Sequence, residues 1–295
     1  MRYVVGYTAN ERGRDALNLA SALARSQDAE LDLVMVDPVH SPYTAVYPPE
    51  SGYRDLLEEQ LETWLSEALA RVPDDVRAAG HIRNADSDAR GLIEAAEELG
   101  AGLIVVGAAS NGVFKRFTIG SVANALLHAA QVPVALAPHG YSRTGALTRI
   151  TCAVGNRRGA EDVLEAGVQT AARSGLPLRL VSLVALDAPS RDADAVAEAG
   201  RHARDRLARA RELAAGRCEV TAVVATGRTI ENAVDDLEFD DGDIMLIGSS
   251  RLAGNNQLFL GPTASKVLRS LPVPMVVVPR NYRAGDASSA PEVTP

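Results

Sequence analysis

Short apolar runs alternate with stretches of helical spacing along nearly the whole chain. Residues 3–7 read as a strand, and residues 12–25 place Ala16, Leu17, Ala20 and Leu23 at helical intervals. A second strand follows at 31–36, then a Pro- and Tyr-rich loop at 38–51. Leu56, Leu57, Leu61, Trp64, Leu65, Ala68 and Leu69 make one stripe of a long helix. Strands at 76–82, 103–107 and 133–137 alternate with helices at 89–99 and 121–130, and residues 108–118 read as a polar, Gly-containing loop. The same order recurs from Ile150 to Val278. Inner strands apolar on both faces specify a parallel sheet covered on both sides, wound by right-handed crossovers.

The recurrence is legible residue by residue. LDLVMV at 31–36 matches LRLVSL at 178–183, and Asp15 and Leu17 match Asp162 and Leu164, all 147 residues apart. LIVVG at 103–107 matches IMLIG at 244–248, Gly120 matches Gly261, and VPV at 132–134 matches VPM at 273–275, all 141 residues apart. One fold is written twice, with about six residues fewer in the middle of the second copy. A period this long marks a duplicated domain, not a solenoid. The expected fold class is α/β, two tandem doubly wound five-stranded parallel-sheet domains. They span 1–138 and 149–280, with a linker at 139–148 and a disordered tail at 281–295 rich in Ala, Ser, Pro and Gly.

Composition narrows the functional classes. Hydrophobic residues make up 46% of the 295 and aromatics only 4%, so the core is built from Ala, Val, Leu and Ile. The net charge of −8 speaks against a nucleic-acid binder, which carries a basic face. It leaves room for a small anion, because helix N-termini and backbone N–H groups bind phosphate without net positive charge. Cys152 and Cys218 are too few for a disulfide framework and fit a reducing, cytoplasmic setting. Apolar runs of five to seven residues predict no membrane span.

In a doubly wound sheet ligands bind beyond the carboxyl ends of the strands, where strand order reverses. The loop after the fourth strand stands out there. Gly107 ends a buried strand, and Gly120 and Ser121 open the next helix, where the dipole favours anions. Glycine permits close backbone approach and positive φ, and Ser121 offers a hydroxyl and an N–H. Together they make either a phosphate cradle or a Gly-rich turn with Ser121 as an ordinary N-cap.

This arrangement, with its duplication, resembles the universal stress protein family over nearly the whole chain, to about residue 280. Nucleotide-binding members carry Gly-x2-Gly-x9-Gly-Ser/Thr after strand four. The first copy has Gly107, Ser110, Gly120 and Ser121 at that spacing, with Ser110 in place of the middle glycine. The second has Gly248, Arg251, Gly261 and Pro262. Pro262 offers neither hydroxyl nor N–H, and Arg251 either blocks the cradle or pairs with a phosphate. Thr263 stands ready to replace the lost hydroxyl.

The resemblance implies a Rossmann-like fold and binding of an adenine nucleotide, ATP, in the first domain, with any Mg²⁺ arriving on the phosphates. Gly107, Ser110, Gly120 and Ser121 hold phosphates in that picture, with Val122 next along the helix. The family's acidic residue after strand one is Thr8 here and Gly155 in the second copy, so neither keeps the carboxylate. Val36 and Asp37 flank base and ribose, Asp37 either accepting from a ribose hydroxyl or starting a turn. The resemblance further implies that the apolar fifth strands pair antiparallel within the chain, with a possible homodimer beyond that, and that a protein partner reads out a stress response. A protein-interaction module without nucleotide and a slow nucleotide hydrolase are the alternatives. No base or nucleophile is identifiable in the cradle, so turnover is expected to be slow or absent.

Other features read as structural. Lys115 in the cradle loop is either a phosphate contact or a solvated lysine. The five histidines lack metal-ligand spacing, and no metal site is expected. The acidic run from Asp235 to Asp243 reads as a solvated helix end and turn. Cys152, in a strand, is expected to be buried and inert.

Overall fold

The computed structural model describes residues 1–38, 51–109, 119–155, 160–185, 193–249, 258–280 and 282. Residues 39–50 of the loop expected at 38–51 and residues 110–118 of the loop expected at 108–118, with Ser110 and Lys115, lie outside the described residues, as do Arg251 and all of the expected tail except Tyr282. Pro38 and Ser51 belong instead to the strand and helix on either side. In the first half the elements are β1 (Arg2–Gly6), α1 (Glu11–Gln27), β2 (Glu30–Pro38), α2 (Ser51–Leu69), β3 (Ala78–Ala85), α3 (Asp88–Glu98), β4 (Leu103–Gly107), α4 (Ser121–Ala129) and β5 (Val134–Ala137). The second half runs β6 (Arg149–Ala153), α5 (Ala160–Ser174), β7 (Leu178–Ala185), α6 (Ala193–Ala214), β8 (Val220–Gly227), α7 (Ile230–Asp235), β9 (Asp243–Gly248), α8 (Pro262–Ser270) and β10 (Met275–Val278).

All strands join one ten-stranded sheet in the order β3-β2-β1-β4-β5-β10-β9-β6-β7-β8. Every neighbouring pair is parallel except β5 with β10, which run antiparallel. The strand order reverses at β1 in the first half and at β6 in the second, which places one switch point between β1 and β4 and another between β6 and β9.

The two halves meet about an approximate two-fold axis, and the repeat offsets locate it. Ala135 pairs with Val276, its own equivalent 141 residues on. Gln27 on α1 donates to Ser174 on α5, its equivalent 147 residues on. Leu258 N–H donates to Ala130 C=O at 3.0 Å, and Phe259 meets His128 edge-on at 4.9 Å between ring centres. Two apolar layers, one on each face of the sheet, both draw on both halves. The expected linker is a strap along α1: Gly140 N–H donates to Asp15, Asn18 donates to Tyr141 C=O, and Leu147 N–H donates to the Ser26 hydroxyl. Tyr282, in the expected tail, packs on the core and donates to Gly102 C=O at 3.2 Å.

One reading from charge pattern is corrected. Asp243 is fully buried at the head of β9 and is no part of a solvated turn. Arg149 Nε donates to it at 3.0 Å, and Arg179 Nη2 lies 3.8 Å away. The Arg179 guanidinium is itself buried and stacks on Phe239, 4.8 Å from the ring centre. Two guanidiniums converging at the foot of inner strands require an internal counter-ion. Among the described residues no helix is long and apolar enough to cross a membrane, and no group of His, Cys, Asp or Glu is arranged to hold a metal.

Candidate functional site

The first switch point opens a cavity of about 120 Å³ at the carboxyl ends of β1, β2 and β4. Thr8, Val36, Gly107, Gly120 and Val122 line it together. Asp37 and Ser121 do not line it. Asp37 is paired with Asn84 inside β2, so it starts no turn. Ser121 is the first residue of α4, and the N-cap position belongs to Gly120.

The two glycines serve different ends. A Cβ on Gly107 would stand 2.2 Å from the Arg12 carbonyl oxygen, so the main chain of α1 already fills that space. Gly120 has φ −71° and ψ 168°, open to any residue, and a Cβ there would meet nothing closer than 3.4 Å. Neither is among the residues with positive φ. The close approach expected at Gly107 is made by protein, while the space at Gly120 stays free.

The N-terminus of α4 is uncapped. Asn10, Ser87 and Thr229 accept from backbone N–H groups at the starts of α1, α3 and α7. At α4 and α8 a glycine takes the cap position and no side chain does so. Asn124 N–H returns to Gly120 C=O, which leaves the N–H groups of Ser121, Val122 and Ala123 outside the helix ladder. These donors and the helix dipole favour an anion.

Two charged residues complete the cavity, and sequence reading missed both. Arg12, in the first turn of α1, lines it with its Nη1 3.9 Å from where a Gly120 Cβ would stand. Asp88, first residue of α3, lines it half-buried. A signal existed for each in the topology, since α1 and α3 start beyond the carboxyl ends of β1 and β3. The Thr8 hydroxyl donates to Asn10 Oδ1 at 2.9 Å, and Asn10 Oδ1 in turn accepts from Gly13 N–H at the α1 cap.

The second switch point opens a larger cavity, about 290 Å³. Gly155, Gly248, Gly261 and Thr263 line it at the positions matching Thr8, Gly107, Gly120 and Val122. Pro262 as first residue of α8 costs that helix end one donor. Ile230 stands where the first cavity has Asp88. Ser182 and Arg206 add a polar wall.

The Universal stress protein family model matches this chain twice, over residues 1–138 and 147–279. Universal stress proteins of Mycobacterium bovis and Mycobacterium tuberculosis are each 31% identical over 294 residues, covering 95% of this chain and all of the relative. Among solved structures, a universal stress protein from Archaeoglobus fulgidus superposes with a TM-score of 0.69 at 21% identity, covering 94% of this chain and 98% of that one. A functionally unknown protein from Pseudomonas aeruginosa does so with 0.58 at 17% identity, covering 95% and 92%. With two matched copies spanning nearly its whole length, the chain belongs to the universal stress protein family and carries that domain in tandem.

Proposed function

We propose that the first domain binds an adenine nucleotide, with phosphates on the N-terminus of α4 and the base toward Val36 at the end of β2. The observation that carries this is the free, uncapped start of α4 opening on a cavity that also holds the Arg12 guanidinium. Charge-assisted bonds from Arg12 to a phosphate are about twice as strong as neutral ones. Asp88 supplies the ribose-side carboxylate that Thr8 does not, and Gly120 leaves room for the phosphate chain. Mg²⁺ enters as part of the nucleotide. Binding, not turnover, is the output, and a protein partner in the cytoplasm, with or without a homodimer, reads the loaded state.

Thermal unfolding of the full chain with ATP and Mg²⁺ tests this. Ligand at 100 times its dissociation constant adds about 2.7 kcal/mol of stability. No shift at millimolar ATP overturns the reading and favours a protein-interaction module.

A further inference from the structure

The two outer strands of the ten-stranded sheet, β3 and β8, are equivalent, and only one of them is protected. Leu31 pairs with Ala78 in β3, and Leu178, its equivalent 147 residues on, pairs with Val220 in β8. Val223 therefore stands where β3 has His81, and Ala225 where it has Arg83. His81 Nε2 lies 2.8 Å from Asp32 Oδ1, and Arg83 pairs with Glu98 at 2.8 Å. Basic side chains held on an edge strand in this way discourage pairing with other chains. From Val220 to Thr226 β8 carries no charged residue and no proline, and Val223 at its centre is 38% exposed.

The alternation of the ladder fixes which main-chain groups face outward. Leu178 N–H donates to Glu219 C=O, so the odd-numbered residues of β8 turn their main chain toward β7. Val220, Ala222, Val224 and Thr226 turn theirs outward, and among the described residues none bonds to them there. An uncharged edge left open like this is a template for another strand. The chain already joins its own halves by such a pairing, β5 with β10, antiparallel about Ala135 and its equivalent Val276.

We propose that β8 pairs antiparallel with β8 of a second copy, so that the sheet continues across a two-fold homodimer. A two-fold axis normal to the sheet keeps each side chain on its own face. Centred on Val223, it uses all four outward residues: Ala222 exchanges main-chain bonds with Val224 of the second copy, and Val220 with Thr226. Val223 then meets its own image in a non-hydrogen-bonded pair, where side chains approach most closely. The groove beside the edge adds matching charge. There α6 presents Arg204, Arg211 and Glu212, and an antiparallel α6 brings arginine against Glu212 on both sides of the axis. The pairing uses no residue of either switch-point cavity and stands apart from nucleotide binding.

Sedimentation equilibrium of the full chain from micromolar to submillimolar concentration, combined with disulfide trapping, tests this. The wild type is expected to dimerise within that range. Val223→Lys sets two ammonium groups against each other on the axis and is expected to raise the dimer dissociation constant at least about tenfold. Its circular dichroism is expected to match wild type, because Val223 is exposed in the single chain. In a Cys218→Ser background, Val223→Cys is expected to crosslink two copies when an oxidant is added, since Cα atoms about 4.5 Å apart are within disulfide reach. Thr221→Cys is expected not to crosslink, because four residue rises place it about 13 Å from its image. A monomer at every concentration, a dimer that folded Val223→Lys leaves as tight as wild type, or Thr221→Cys crosslinking as readily as Val223→Cys overturns the proposal. If Val223→Lys does not fold, the two cysteine variants decide.

Discussion

Gly107 and Gly120 sit in the same motif, yet the structure predicts opposite consequences for adding one methyl group. At Gly107 the new Cβ would lie 2.2 Å from the Arg12 carbonyl oxygen, 2.8 Å from its carbon and 2.9 Å from its Cα. Real contacts of that kind stay above about 3 Å, and the obstacle is main chain, not a flexible side chain. Either β4 or the first turn of α1 must shift. Overpacking of this type costs about 1–3 kcal/mol, and the backbone obstacle puts Gly107→Ala near about 3 kcal/mol. That lowers the melting temperature by about 6–12 °C for a domain of this size class. At Gly120 a Cβ meets Ala109 at 3.4 Å in ordinary contact. Gly120→Ala then loses only the preference of an N-cap for glycine over alanine, about 0.5–1 kcal/mol. Its ATP affinity, however, should fall about tenfold, the equivalent of one displaced phosphate contact of about 1.4 kcal/mol. Urea denaturation followed by circular dichroism gives the stabilities, and titration calorimetry the affinities. If Gly107→Ala unfolds within about 0.5 kcal/mol of wild type, well inside the cost assigned to overpacking, the close approach is not what fixes that glycine.

Asp243→Asn strands Arg149 and the buried Arg179, and should cost about 3–5 kcal/mol in urea denaturation, the range for breaking a buried pair from one side. Burial pushes the Cys152 thiol from 9.0 up to about 12. Labelling with a thiol reagent at neutral pH should therefore spare Cys152 until the protein unfolds, while the half-buried Cys218 reacts first. The same shift keeps the folded thiol protonated where the unfolded one ionises. Its stabilising contribution is present below pH 9 and lost as pH rises toward 12, and Cys152→Ala should flatten that loss in denaturation curves taken across the range. Arg12→Met should weaken ATP binding about tenfold and reduce its salt dependence, measured by calorimetry at two ionic strengths, because a charge-assisted contact is removed.

Much of the fold could be read from the chain because its signals are local. Buried runs such as those of β1 and β4 announce strands, and the matched offsets announce duplication. The offset of 141 even identifies the residue pair on the two-fold axis, Ala135 with Val276. What escaped reading depends on elements far apart in sequence. Asp243 looked like one of many surface acids, because the guanidinium of Arg149 arrives from a strand 94 residues earlier. Arg12 and Arg206 are two of 28 arginines, and nothing in their neighbours sets them apart. Only the crossing of α1 over β4, and of α6 over β7, brings them to the cavities. Ser121 was misplaced by one residue because glycine at the cap position leaves no side-chain signature.

The central claim is that the first switch point is a working nucleotide site, and a crystal structure of the full chain grown with saturating ATP and Mg²⁺ tests it most directly. The account predicts phosphate density against the N–H groups of Ser121, Val122 and Ala123, with the Arg12 guanidinium in contact. A cleft between Gly107 and Gly120 that stays empty, or nucleotide bound away from α4, contradicts it.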